Sequence, residues 1–114
     1  MRSAYLVVGT FLVVAGALGF VQTPLLGLFD VDFLHNLVHI VSGAATLLIT
    51  RSGIGAMRVW GKLLGTIYLA VALAGWVLDG NLFGLMHVNR PDNVLHLLLA
   101  CFYLYIGLLA PPRL

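Results

Sequence analysis

Glutamate is missing from this 114-residue chain, lysine and cysteine occur once each, and charged residues make up only 9% of it. Each scarcity excludes something. Without glutamate, and with no aspartate in the first or third apolar run, a ferritin-like di-iron centre has no ligands. A single cysteine, Cys101, leaves no internal disulfide, and within an apolar run its default state is a buried, inert thiol. A charged fraction this low excludes a soluble domain, in which about a quarter of the residues are charged.

What fills the chain is hydrophobic residues, at 61%. They fall into four runs, residues 4–21, 33–50, 59–78 and 94–110. Each is close to the ~20 residues that an α-helix needs to cross a bilayer core of about 30 Å. The sequence therefore predicts one all-α domain over residues 1–114, a polytopic four-helix bundle with short connections. Lys62 lies near the start of the third run, where its long side chain reaches the interface.

The chain is also doubled. Residues 8–50 return as residues 64–107 with twelve identical pairs, among them Gly9/Gly65, Thr10/Thr66, Gly19/Gly75, Asn36/Asn93 and His39/His96. Repeat one occupies residues 4–50 and repeat two residues 58–110. Each is a helical hairpin, and two hairpins of two spans keep the same orientation. They relate by a pseudo-twofold axis along the membrane normal, the parallel kind of repeat. The repeat also speaks against a cleaved signal peptide, because removing the first run would leave the third without its twin.

Charge sets the orientation. Arg2, Arg51, Arg58, Lys62 and Arg113 lie on the side of the termini, whereas Asp30, Asp32, Asp79 and Asp92 face a single Arg90 on the other. The positive-inside rule then places both termini in the cytoplasm. A reporter fused after Leu114 is expected inside and one inserted near Asn81 outside; the reverse pattern would overturn this orientation. The basic residues trace a membrane edge and form no patch for nucleic acid.

Local signals mark the helix ends and seams. Asp32 and Asn89 are equivalent N-cap candidates, and Pro91 suits a first helical turn. Gly61 and Gly65 form a small-x-x-x-small pair that allows close helix packing inside the bundle. Ser52-Gly53-Ile54-Gly55 reads as a flexible turn, and the two Leu-x-Gly-Leu outer loops should dip into the interface or fold over the bundle.

The chemistry-bearing residues collect where helices two and four begin. His35 and His39 are four apart on one helix face, as are Asp92 and His96 on the other. The pseudo-twofold brings these pairs together beside Asn36 and Asn93. In one reading the cluster is a polar network joining helices two and four of a non-enzymatic structural or accessory protein, working within a larger membrane complex or a homo-oligomer. In a second, His35, His39, Asp92 and His96 hold Zn²⁺, Cu²⁺ or Fe²⁺ in a redox or transport protein. Alternatively, His39 and His96 clamp a haem iron from both sides. A third is a proton-coupled, lipid or quinone pocket using Asp92, His96 and His39. His87 belongs to the outer loop as a solvated residue. Ser42 lacks the orienting group and oxyanion hole that hydrolysis requires, so no catalytic residue is assigned.

The marks His35-Asn36-x-x-His39 and Asp92-Asn93-x-Leu95-His96 resemble those of a bacterial membrane-protein family catalogued as domain-of-unknown-function family 4383. The likeness extends from the Gly-Thr of helix one through helix four and includes Tyr68 and Gly75. It implies a four-span bundle in a bacterial cytoplasmic membrane and no activity.

Overall fold

The computed structural model describes residues 1–23, 25–29 and 31–111. Asp30, Arg113 and Leu114, used above for orientation, lie outside the described residues. Among the described residues there are four helices: α1 (Arg2–Gly19), α2 (Phe33–Ile49), α3 (Ile54–Val77) and α4 (Arg90–Leu108). Between α3 and α4 a two-stranded hairpin joins β1 (Asn81–Leu82) to β2 (Met86–His87). Helix α1 packs along α2, and α3 along α4, so the bundle is two tandem helical hairpins. Helices α1, α3 and α4 are long and apolar enough to cross a membrane, and α2 is an apolar helix of 17 residues.

The two seams within hairpins are built differently from the gap between them. At Gly61 an added Cβ would stand 2.6 Å from the Tyr103 carbonyl oxygen and 2.8 Å from the Gly107 nitrogen, so α3 and α4 touch backbone to backbone. Gly9 and Gly65 are repeat-equivalent and meet the equivalent residues Leu47 and Leu104. Across the gap, bulky side chains meet instead. The Tyr103 ring, stacked at 6.0 Å on Tyr68 of its own hairpin, lies 5.8 Å from Tyr5 of the other. Equivalent residues also meet across the pseudo-twofold, where the Thr46 and Tyr103 hydroxyls are 2.7 Å apart. The axis therefore runs between α2 and α4.

The outer loops share a backbone shape. Leu26-Gly27 and Phe83-Gly84 all have positive φ, between 55° and 74°. The turns close with Leu28 N donating to Leu25 O and Leu85 N to Leu82 O. Glycine adopts this left-handed conformation without a Cβ clash, which explains the shared Leu-x-Gly-Leu. The pairing of Leu82 with Met86 repeats the isolated bridge between Leu25 and Phe29. Leu25, Leu82 and Val88 are buried, so the loops do pack onto the bundle.

Three expectations change. The 52–55 turn ends at Gly53, which caps α3, and Gly55 is helical. Ala56, Met57 and Arg58 favour helix strongly enough to extend α3 toward its N-terminus. Cys101 is exposed on the outer face of α4 instead of buried, because Ala100 and Tyr103 take the inward positions. Finally, Arg2 and Arg58 do more than add charge to the side of the termini. Arg2 Nε donates to Thr50 O (2.6 Å), and Arg58 Nη2 donates to Ala110 O (2.7 Å). These arginines are equivalent in the repeat, and each closes the carbonyl end of its partner helix, where a cation also complements the helix dipole. Arg58→Ala should lose about 1–2 kcal/mol of thermal stability in detergent. Arg51→Ala, whose side chain makes no hydrogen bond among the described residues, should be nearly silent. Equal losses would refute the capping role.

The perimeter is apolar. Val7, Val41, Val59, Leu63, Leu98 and Leu108 are each more than half exposed on the helices. Such a contiguous surface suits hydrocarbon and not water.

Candidate metal centre

The polar cluster is positioned by its helix caps. Asp32 caps α2, with Oδ1 accepting from His35 N at 2.8 Å. Asn89 caps α4 in a capping box: its Oδ1 accepts from Asp92 N, and Asp92 Oδ2 accepts from Asn89 N at 2.9 Å. Each cap is also tied to the other repeat's outer loop. Asp32 Oδ2 accepts from His87 N (3.1 Å), and Asn89 Nδ2 donates to Leu28 O (2.8 Å). These ties fix the rotation and height of α2 and α4, and so of the imidazoles one and two turns further in.

His35, His39 and His96 are almost fully buried and form one group. Each offers a ring nitrogen, and these three atoms all lie within 4.8 Å of one another. The ring centroids are 4.4 Å (His35–His39), 5.3 Å (His35–His96) and 5.7 Å (His39–His96) apart. Asp92 is buried but is not a member of this group; its carboxylate is engaged at the N-cap. Three of the four residues singled out in the sequence thus come together, and the Asp92 carboxylate accepts a bond at the start of α4.

Hydrogen bonding decides what the cluster can do. Among the described residues, neither ring nitrogen of His39 has a hydrogen-bond partner, and neither does His96 Nδ1. Asn36 Oδ1 and Asn93 Oδ1 are likewise buried without one. These two oxygens press instead on the equivalent glycines Gly19 and Gly75, where an added Cβ would collide with them. The asparagines therefore pack within their own hairpins and do not bridge α2 to α4. Leaving such atoms buried and unpaired costs about 1–3 kcal/mol each.

The donor set fits a transition-metal ion. Neutral imidazole suits Zn²⁺, Cu²⁺ and Fe²⁺, and nitrogens sharing one four-coordinate ion lie about 3.3 Å apart, given metal–nitrogen bonds of about 2.0–2.1 Å. Haem does not fit. His35 stands no more than 5.3 Å from both His39 and His96, in the plane that a macrocycle clamped between them would occupy.

The surroundings are aromatic and hydroxylic. Tyr68 lies 5.8 Å from the His96 ring, and its hydroxyl is 2.8 Å from Ser42 Oγ. Ser42 Oγ also donates to Val38 O at 2.8 Å, so this hydroxyl is committed to backbone and tyrosine and not to an imidazole. A serine nucleophile is thereby unsupported. His87 is exposed in β2, away from the group. The repeat marks neither Tyr68 nor Ser42 beside the histidines, since Tyr68 aligns with Leu12 and Ser42 with Leu99.

No curated protein and no solved structure matches the chain. One family model does, over residues 2–109, and its description is a domain of unknown function. With a match that spans nearly the whole chain, the protein belongs to domain-of-unknown-function family 4383.

Proposed function

We propose that this is a small integral membrane protein that binds one transition-metal ion through His35, His39 and His96. The observation that carries the reading is the burial of three imidazoles with ligand atoms within 4.8 Å of one another. The unpartnered nitrogens of His39 and His96 Nδ1 support it, because a metal bond satisfies a lone pair that the protein leaves unmet. Asp92 acts through the capping box, holding the first turn of α4 and with it His96. Asn36 and Asn93 lock each hairpin through Gly19 and Gly75.

We also read all four helices as membrane spans. Helix α2 rises about 25 Å over its length. It is seated on α1 from Asn36 at Gly19 to Leu47 at Gly9, so it crosses the same slab. The distribution of Arg2, Arg51, Arg58 and Lys62 supports cytoplasmic termini in a bacterial inner membrane.

Elemental analysis of protein purified from membranes without added metal tests the reading, followed by reconstitution with Zn²⁺, Co²⁺ or Cu²⁺. About one ion per chain is expected, lost in the His39→Ala/His96→Ala variant. A folded protein that purifies metal-free and takes up none of these ions would refute it.

A further inference from the structure

The three histidines are not sealed on every side. A cavity of about 350 Å³ lies between α2 and α3, and His35, His39 and His96 all line it. Its rim is formed by Val38, Val41, Leu63 and Ile67, which are exposed on the lateral surface of the bundle. The opening therefore faces the hydrocarbon of the membrane, not either aqueous end. Among the described residues, no Asp, Glu, Lys or Arg lines it. Of the described loop residues, Met86 approaches it, and the buried Leu25, Leu82 and Val88 are apolar.

The pseudo-twofold generates a counterpart of about 380 Å³ between α1 and α4. That cavity meets only His39 of the three, and Asp92 stands in its wall. The asymmetry at position 35/92 thus makes the two sides unequal: one cavity reaches all three imidazoles, and the other reaches a carboxylate.

We propose that the metal's exchangeable ligand is a small, uncharged, membrane-dissolved molecule with a nitrogen or oxygen donor, reaching the ion sideways through the α2–α3 cavity. The inference rests on the metal reading above. Three protein ligands leave a position on a four-coordinate ion for an outside group, as in catalytic sites. The cavity wall selects against charge, since an ion on this route would have to leave water for hydrocarbon. Its volume is at the small end of ligand cavities, which suits a single ring or smaller and excludes a whole lipid.

Co²⁺-loaded protein in nanodiscs provides the test, because the visible bands of Co²⁺ report a change of ligand. Two pyridines serve as probes at a pH where both ring nitrogens are unprotonated: neutral, lipid-soluble 4-tert-butylpyridine and anionic pyridine-3-sulfonate. The neutral probe should shift the bands saturably, and the sulfonate should not. Val41→Trp and, separately, Ile67→Trp narrow the opening from positions already exposed to lipid, so they should keep the Co²⁺ bands and lose the response. Val14→Trp, on the α1–α4 side, should retain it. An equal response to both probes, a response to neither, or an undiminished response in both rim variants would overturn the lateral route while leaving the metal site standing. Absence of cobalt from the loaded protein, measured before any pyridine is added, would remove both.

Discussion

Replacing Gly61 with alanine should unfold or separate the α3–α4 hairpin. The new methyl would meet the Tyr103 carbonyl oxygen and the Tyr5 hydroxyl, each at 2.6 Å, and the Gly107 nitrogen at 2.8 Å. Two of these three atoms are backbone and cannot rotate away. The helices must move apart, and the stacked tyrosines that depend on their spacing move with them. Tyr5 would also lose its 2.6 Å bond to the Met57 carbonyl, because Tyr5 occupies the room that Gly61 leaves. Overpacking of a close interface costs about 3 kcal/mol when the backbone must shift. Thermal unfolding in detergent reads the effect. Gly55→Ala is the matched control, with nothing within 4 Å of the added Cβ, and should be neutral or more stable by up to about 1 kcal/mol. Similar behaviour of the two variants would contradict the backbone-to-backbone seam.

The second large effect concerns His39→Leu and reverses sign with metal. In metal-free protein the leucine should raise stability by about 1–2 kcal/mol, because it removes two buried nitrogens that have no partner and keeps a similar volume. With Zn²⁺ in excess the order should invert. A folded-state site stabilises wild type by about 2.7 kcal/mol when the free ion is at a hundred times its dissociation constant. The variant has lost a ligand and gains little. Unfolding curves of both proteins, with chelator and with Zn²⁺, should therefore cross over. If the imidazole instead served to join helices by hydrogen bonds, His39→Leu would be less stable in both conditions, and that outcome would discard the metal site.

Much of this fold was legible because polar residues in a repeat are harder to explain by shared hydrophobicity than apolar ones. The pairs Asn36/Asn93 and His39/His96 located the outer ends of α2 and α4 and brought the histidines to one place. Asp32 and Asn89 marked the helix starts correctly. Asp92 was harder to place, since the same carboxylate suits a metal ligand and an N3 capping partner. Its Oδ2 lies 2.9 Å from Asn89 N, a contact that depends on the cap geometry and not on the spacing alone. The roles of Arg2 and Arg58 were within reach, because extending the repeat by the same offset pairs them directly. Their contacts with Thr50 and Ala110 need the helix lengths, which periodicity leaves uncertain by a turn. The roles of Asn36 and Asn93 were also hidden. Each leans on a glycine of its own hairpin, a contact between residues far apart in sequence that no local pattern encodes. The exposed face of Cys101 depended on which side of α4 the tyrosines took.

The cross-ties between each cap and the opposite loop have a consequence for how the protein varies. Were the hairpins separate, identical molecules, every residue beside the axis would appear twice, and a change at one place would be imposed on the other. Covalent linkage removes that constraint. Asp32 and Asn89 already differ, one accepting from the neighbouring loop and the other donating to it. The same freedom lets one half keep an imidazole at position 35 while the other spends position 92 on its helix start. A joined chain can thus hold an odd number of histidines about an even-numbered axis, which two identical partners never can.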